Sequence, residues 1–361
     1  MKILIVGCGI VGATLAYELS QDSDLDVQVL ESRSSAAQES TGAALGLLMG
    51  VISQKVKGRA WQWRQEGLRY YQRLLTESDV ISDLSVFHNA QGLLKLLPDP
   101  LDLDKWRSLA MLRNSQGWPM EIWSSSQVRA KFPWLQISDE TNAVYSAADW
   151  QVHPAQMTRA LVQAAEHRGV EFNWDTHVLG VSDSSAYSRG DRGVETERGL
   201  VGADQIVITA GLGSALLTAN SAQPLELMPV LGQAIHYQLA EPPDFHPVIT
   251  RNDIHVVPLG GGEYWVGATV EFPVGTEVEP NPESLAELQR YSVEFFPALA
   301  TAEILTTWSG LRPRPVGRPA PVVERLAGYQ NVIVATGHYR NGVLLAPATA
   351  RMVQELLALT F

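Results

Sequence analysis

The sequence predicts an α/β fold of two interleaved parts. One is a parallel sheet flanked by helices and gathered from separate stretches of chain; the other is an inserted α+β part with an antiparallel sheet. A strand–turn–helix–strand unit fills the first 31 residues, and short buried strands that each run into a glycine recur at 206–209 and 332–335. Between them, at 232–270, lie longer strands separated by a glycine-rich turn, which indicates antiparallel pairing.

The N-terminal unit follows a regular plan. Lys2–Val6 is a β-branched apolar run, which is typical of a buried strand. A glycine turn at 7–12 follows, and 13–20 has helix-forming composition with its leucines on one face. A second strand at 27–30 ends at Glu31. These elements together make a βαβ unit, which requires parallel strands.

Gly7, Gly9 and Gly12 form the pattern G-x-G-x-x-G between the first strand and its helix. Such glycines allow a tight turn, a close approach of backbone to a pyrophosphate, and close packing of helix on strand. Glu31 lies 19 residues after Gly12, where a carboxylate can accept hydrogen bonds from a ribose hydroxyl. The pattern in this context predicts a dinucleotide site, for NAD or FAD; the alternative is a glycine turn that binds nothing.

Composition excludes several classes of protein. The 361 residues carry a net charge of −12, with 27 basic and 39 acidic side chains, which argues against a nucleic-acid partner. The single cysteine, Cys8, rules out an internal disulfide scaffold, and we expect it to be a packing residue. No signal segment or apolar run of membrane-spanning length is apparent, so we expect a cytoplasmic protein with no membrane partner. One cysteine cannot form a multi-Cys metal site, and we expect no metal.

Two C-terminal segments carry a resemblance to a known family. Trp308–Pro313 reads WSGLRP, and Ala335–Thr349 reads ATGHYRNGVLLAPAT. Both resemble segments that recur, in this order, in the D-amino-acid oxidase superfamily, most closely in the glycine oxidases. Ser40–Gly46 is similar to the segment after the second strand in FAD-dependent amine oxidoreductases, although by itself it could be an ordinary loop. The resemblance spans the chain, but the middle segments match only in pattern.

The resemblance implies a non-covalent FAD and oxidative deamination of glycine or another small amino acid or amine. Hydride transfer to the flavin would give an imine that hydrolyses to an oxo acid and ammonia, and oxygen would be reduced to hydrogen peroxide. It also suggests a place in thiamine biosynthesis and allows a homo-oligomer. The alternative activity is a D-amino-acid or secondary-amine dehydrogenase that uses another acceptor. A flavoprotein scaffold and an NAD-dependent dehydrogenase are disfavoured by the arginines and by the C-terminal segment.

The resemblance also assigns residues. Arg312 would bind the substrate carboxylate, Arg340 would line the same site, and His255 stands where glycine oxidases carry a tyrosine that helps to hold the carboxylate. The residues expected along the cofactor are Gly7, Gly9, Ile10, Val11, Gly12, Glu31, Ser32, Ser40, Thr41, Ala44, Leu45, Gly46, Val178, Gly211, His338, Tyr339, Arg340, Asn341, Gly342, Val343 and Leu344.

Physical chemistry agrees with these roles. The guanidinium fork of arginine binds a carboxylate through two charge-assisted hydrogen bonds, and two arginines at one pocket would make it positive. His255 would change charge near neutral pH, so the pH optimum could differ from that of the group. Without the resemblance, Arg312 would be read as a surface residue and His338 as a packed one. The only cysteine lies in the glycine turn, so a cysteine-linked flavin is not expected.

The expected organisation is an FAD-binding Rossmann-like domain built from discontinuous segments, with an inserted α+β substrate domain. The stretch 58–126 is rich in Trp, Arg, Gln and Leu and is expected to be mainly helical. The FAD-binding domain is assigned to 1–57, 145–220 and 305–361, and the substrate-binding domain to 58–144 and 221–304.

Overall fold

The structure, a computed structural model, describes residues 1–77, 85–97, 103–182, 192–275 and 278–358. It confirms the expected α/β fold, with a six-stranded, mostly parallel sheet and an eight-stranded, largely antiparallel sheet. The strands are β1 (Lys2–Val6), β2 (Asp26–Leu30), β3 (His88–Asn89), β4 (Leu93–Leu97), β5 (Glu121–Trp123), β6 (Asn142–Ser146), β7 (Gln151–Val152), β8 (Glu171–Asn173), β9 (Val178–Ser182), β10 (Gly193–Thr196), β11 (Gly199–Gly202), β12 (Gln205–Ile208), β13 (Leu227–Gln238), β14 (Val248–Arg251), β15 (Ile254–Gly260), β16 (Glu263–Gly267), β17 (Glu303–Pro315), β18 (Val322–Arg325) and β19 (Val332–Thr336).

The α-helices in the described ranges are α1 (Ile10–Leu19), α2 (Gly58–Glu77), α3 (Leu103–Ser115), α4 (Ser125–Lys131), α5 (Pro154–Glu166), α6 (Ser214–Leu217), α7 (Pro282–Phe295) and α8 (Gly342–Ala358). Short 3₁₀ turns occupy Gly211–Gly213 and Pro297–Thr301. Of these helices, none combines the length and the apolar character needed to cross a bilayer.

The six-stranded sheet has the order β18-β19-β12-β1-β2-β8. Strand β1 pairs in parallel with β2 on one side and with β12 on the other. Only the edge strand β18 runs antiparallel to its neighbour. The strand order reverses at β1, which has β2 on one side and β12 on the other. At such a point a crevice opens at the carboxyl end of the strand, where sheets of this type bind ligands.

The eight-stranded sheet has the order β17-β13-β16-β15-β14-β4-β6-β5. The expected hairpin is present, because β15 and β16 pair antiparallel across a glycine turn. The long pairing of β13 with β17 sets Val230 opposite Arg312 and Gly232 opposite Gly310. The boundaries assigned at 144/145 and 304/305 fall inside β6 and β17, which both belong to this sheet; the division into two domains stays a prediction.

The described part of 58–126 is mainly helical, as expected, but it also contains strands that the sequence did not predict. Helices α2 and α3 are present, but β3, β4 and β5 lie in the same stretch. Strand β4 reads LLKLL and is almost entirely buried. A short apolar run of this kind cannot be told from a buried helix by periodicity, so its pairing with β6 and β14 decides the outcome.

A buried carboxylate fixes the segment that leads from the cavity into α2. Asp149 Oδ1 accepts hydrogen bonds from the backbone N–H of Gly50 and Val51, each at 2.7 Å, and Oδ2 accepts one from Ile52 at 2.8 Å. Burial raises the pKa of Asp149 to about 6. These three donors replace the water that the carboxylate loses, and they anchor a turn that lacks regular structure.

Candidate active site

A cavity of about 690 Å³ opens at the carboxyl ends of the parallel strands, with walls from both sheets. Its volume lies in the range of cofactor and small-molecule sites, roughly 300–1,000 Å³. The glycine turn and the 40–47 segment form one wall, and residues 310–313 of β17 with the 338–344 segment form another. One continuous space therefore joins the predicted dinucleotide site to the predicted substrate site.

The glycine turn is shaped by steric limits. Gly7 has a φ of +104°, in the region that favours glycine, and a Cβ there would lie 2.9 Å from Ala210 Cα. A Cβ at Gly12 would lie 2.0 Å from the Gly7 carbonyl oxygen. Helix α1 then begins at Ile10 without a side-chain cap and without an acidic residue in its first turn. The Ile10 N–H at this N-terminus donates to Thr41 Oγ1 at 3.1 Å. An anion such as a pyrophosphate would therefore interact with the helix dipole and with the later N–H groups of the first turn.

Glu31 follows the end of β2, and its carboxylate accepts backbone hydrogen bonds from the glycine turn and from its own segment. Its Oε2 accepts a hydrogen bond from Cys8 N at 2.7 Å, and its Oε1 accepts one from Arg33 N at 2.9 Å. Cys8 is fully buried, and burial together with the nearby Glu31 charge raises the pKa of its thiol. A protonated, buried thiol supports the interpretation of Cys8 as a packing residue.

The residues present fit a dinucleotide such as FAD. At Gly9 a Cβ would meet only Thr41 Oγ1, at 3.1 Å, and at Gly342 only His338 Cβ, at 3.7 Å, so backbone packing does not demand glycine at either position. Leu179 and Leu216 line the cavity but are 63% and 82% exposed. Open glycines and exposed leucines around the cavity are what a large planar ligand would cover.

The structure brings nearly all of the expected site residues to this cavity. Gly12 and Asn341 are the exceptions, because they do not line it. Gly12 lies against the Gly7 carbonyl instead, and the Asn341 backbone N–H donates to His338 O at 3.1 Å. The binding roles themselves stay predictions. The expected residues that line the cavity are Gly7, Gly9, Ile10, Val11, Glu31, Ser32, Ser40, Thr41, Ala44, Leu45, Gly46, Val178, Gly211, His255, Arg312, His338, Tyr339, Arg340, Gly342, Val343 and Leu344.

Arg312 is held rigidly from one side. Its Nη1 donates to Leu231 O at 3.0 Å and to Thr269 O at 3.1 Å. A Cβ at Gly232 would lie 2.1 Å from Nη2, so glycine at that position makes room for the guanidinium. Burial, and then the like charge of Arg340, lowers the pKa of Arg312. Within the described part of the chain Nη2 has no hydrogen-bond partner, which leaves it available to a carboxylate.

Arg340 has a different environment. Its Nη2 donates to Asp253 Oδ1 at 2.9 Å, and the two side chains are 35% and 70% exposed, respectively. Burial alone would raise the pKa of Asp253, but the hydrogen bond and charge of Arg340 hold that pKa below its ordinary value. Arg340 therefore has a carboxylate partner, although its positive charge still lowers the pKa of Arg312 and of His255. The expectation that the two arginines make the pocket positive stays a prediction.

His255 is neutral at physiological pH. Burial, followed by the positive charges of Arg340 and Lys95, lowers its pKa to about 3. Its Nδ1 lies 2.8 Å from Thr250 Oγ1, a hydrogen bond in which either atom can donate. The expectation that His255 changes charge near neutral pH is wrong, because the sequence does not show how deeply this strand residue is buried.

His338 is also neutral. Burial lowers its pKa to about 4, and its Nε2 lies 2.8 Å from Thr349 Oγ1. A histidine with so low a pKa is a weak base at neutral pH, far from the value that suits acid–base catalysis. The geometry is therefore consistent with the prediction that His338 lines the cofactor without exchanging protons.

A pH dependence of stability follows from His255. A histidine whose pKa is lower in the folded than in the unfolded chain adds stability above pH 6.5 and loses it as the pH falls. Between about pH 7 and about pH 5, this single group should lower the free energy of unfolding by about 2 kcal/mol. We expect His255→Asn, which keeps a polar atom near Thr250, to show a correspondingly smaller loss in urea unfolding at the two pH values. Equal losses in both proteins would contradict the assignment.

The sequence did not point to three residues at the site. Gly232 makes room for the Arg312 guanidinium, Thr250 contacts His255, and Asp253 pairs with Arg340 across 87 residues of sequence. Gly232 lies in an otherwise regular strand, which is a signal of close approach by another group. Thr250 and Asp253 carry no such signal.

Comparisons with known proteins agree with the fold. The glycine oxidase of Pseudomonas aeruginosa is 28% identical, with 99% of this chain and 94% of that protein covered. The crystal structure of a glycine oxidase from Geobacillus kaustophilus has a TM-score of 0.87 at 23% identity, covering 99% of this chain and 94% of that one. An L-proline dehydrogenase from P. horikoshii has a TM-score of 0.85 at 22% identity, covering 99% and 92%.

The family itself follows from a match along nearly the whole chain. Residues 2–356 match the family described as DAO, FAD dependent oxidoreductase. The resemblance drawn from the two C-terminal segments is thereby confirmed, and FAD is the cofactor of the family. This chain belongs to the DAO family of FAD-dependent oxidoreductases and is similar to glycine oxidases.

Proposed function

We propose that this protein oxidises glycine or another small amino acid or amine, with a non-covalently held FAD, to an oxo acid, ammonia and hydrogen peroxide. The observation that carries the proposal is Arg312, which lines a cavity continuous with the glycine turn and is held in place through Nη1. The fixed guanidinium offers a carboxylate a preset partner, so little side-chain freedom is lost on binding. The similarity to glycine oxidases along the whole chain supports the choice of substrate class.

FAD, when bound, would supply the acceptor for the hydride that leaves the substrate Cα. The chain's own residues would then orient the substrate. Arg312 would hold the carboxylate, and the Thr250 hydroxyl, by donating to His255 Nδ1, would leave His255 Nε2–H as a second, neutral donor. The remaining walls near Arg312 come from small residues such as Ala234, Ala268 and Gly310. These walls add no competing charge.

Neither His255 nor His338 is suited to accept a proton from the substrate at neutral pH. His255 and His338 have pKa values of about 3 and about 4, so both are poor bases at neutral pH. The amine of the substrate would therefore have to bind in its neutral form. We expect kcat/KM for glycine to rise with pH toward the pKa of the substrate amine.

The test is spectroscopic. The purified protein should show the visible absorbance of flavin, and acid precipitation should release that colour into the supernatant, as expected for a non-covalent cofactor. Glycine or a D-amino acid added under nitrogen should bleach the absorbance, and air should restore it. Protein that binds no flavin would refute the proposal. Bleaching that air does not reverse would instead favour the dehydrogenase alternative, and a covalent flavin would stay with the precipitate.

The sequence suggested three further properties: a cytoplasmic location, a role in thiamine biosynthesis and a homo-oligomeric state. These stay predictions. Oxygen is proposed as the acceptor on the strength of the similarity to glycine oxidases, and the air step above tests it directly.

A further inference from the structure

We propose that Asp253 is a positioning residue that compensates Arg340 and thereby restricts the site to amines with a single carboxylate. The inference rests on the proposed function, because it concerns which substrates the same cavity accepts. The observation behind it is a charge count. In the described structure three arginines line the cavity: Arg33 pairs with Glu39 and Arg340 with Asp253, whereas Arg312 forms no ion pair with a carboxylate.

The carboxylate of Asp253 is placed by a turn that the sheet holds in position. Asp253 lies in the turn between β14 and β15, next to Asn252, which has a φ of +56°. Lys95 Nζ on β4 donates to Asn252 O at 3.2 Å and so braces the turn from the neighbouring strand. His255, two residues further along β15, lines the cavity. The turn that carries Asp253 is therefore a direct extension of the cavity wall.

The ion pair lies at the solvent-exposed rim of the site. Arg340 is 35% and Asp253 70% exposed, whereas Arg312 is partly buried and held by two backbone carbonyl groups. Because the pKa of Asp253 is held below its ordinary value, its carboxylate stays charged throughout the neutral range. The pair has no net charge, and the guanidinium edge that faces Asp253 is occupied.

The consequence is discrimination by charge. A substrate with one carboxylate needs only Arg312. A second carboxylate directed at Arg340 would have to share the guanidinium with Asp253 and would lie beside its negative charge, which is unfavourable. Removing the Asp253 charge should convert Arg340 into a second anion-binding group without changing the contacts of Arg312.

The experiment compares the wild-type holoenzyme with Asp253→Asn, using acetate and malonate as unreactive ligands with one and two carboxylates. Binding is followed by the change in flavin absorbance. We expect the variant to bind malonate about fivefold more tightly relative to acetate, an effect of the size measured for half-exposed charges. Because the rim is solvated, this gain should shrink as salt is added. The ratio of kcat/KM for iminodiacetate over glycine should rise in parallel.

Three further variants make the result specific. Asp253→Glu should keep wild-type selectivity because it keeps the charge. Asp244→Asn removes an exposed carboxylate that does not line the cavity, and should also leave selectivity unchanged. The double variant Asp253→Asn with Arg340→Ala should lose the gain, since the gain is assigned to Arg340.

The outcomes separate the two proposals. If glycine reduces the wild-type flavin but Asp253→Asn leaves the malonate-to-acetate ratio unchanged, Asp253 has no such role and the proposed function stands. If glycine and other amines fail to reduce the wild-type flavin, the proposed function fails, and the two unreactive ligands still decide the role of Asp253. A gain that persists in the double variant would also overturn the inference.

Discussion

Replacement of Arg312 by alanine is expected to lower kcat/KM for glycine on the order of 10²–10³-fold while FAD stays bound. The loss follows from removal of a partly buried, charge-assisted partner of the substrate carboxylate, which typically costs about 2–5 kcal/mol. Most of the effect should appear in KM, because the carboxylate interaction exists before the reaction as well as during it. Steady-state kinetics and the flavin absorbance of the purified variant provide the measurement.

Two further arginine variants test whether a loss of structure causes the fall in kcat/KM of Arg312→Ala. Arg312 Nη1 donates to the carbonyl groups of Leu231 and Thr269, which alanine would leave without that donor. Arg312→Lys keeps a charge but not the fork, so partial recovery is expected. Arg318→Ala removes an arginine from an exposed ion pair with Glu324 and should behave as wild type. Unchanged kinetics in Arg312→Ala would refute the carboxylate assignment.

Replacement of Gly12 by alanine is expected to abolish retention of FAD. A Cβ at this position would lie 2.0 Å from the Gly7 carbonyl oxygen and 2.7 Å from Thr209 Oγ1. The first contact is with backbone, so the glycine turn or the start of α1 must shift, and the helix N-terminus would move away from the pyrophosphate. The ratio of flavin to protein absorbance after purification measures the effect.

A matched glycine variant distinguishes this effect from a general loss of stability. At Gly202 in β11, a Cβ would meet only Arg192 O, at 3.6 Å, an ordinary contact. Gly202→Ala should therefore keep its full complement of FAD. Circular dichroism should show that Gly12→Ala is folded, in which case the loss of flavin is local. A folded Gly12→Ala protein with normal flavin content would show that the close packing at this turn is not needed for the cofactor.

Much of the fold was predictable because its signals are local. The strand–turn–helix–strand order, the glycine spacing and the acid at Glu31 lie within the first 31 residues, and each follows from sterics or from hydrogen bonding of near neighbours. The hairpin of β15 and β16 was predictable for the same reason. Strand β4 was not, since its four leucines and one lysine become a strand only through pairing with β6 and β14.

The candidate site shows the same contrast between features set by near neighbours and features set by distant segments. The sequence by itself determined the glycine turn, the acid at its edge and, through the resemblance of the two C-terminal segments, Arg312 and Arg340 as candidate site residues, both of which line the cavity. Only the tertiary structure decided the electrostatics: His255 is neutral because it is buried beside positive charges, and Arg340 is paired because a turn 87 residues away carries Asp253 to it. Burial and charge pairing depend on which distant segments meet, and spacing along the chain does not encode that.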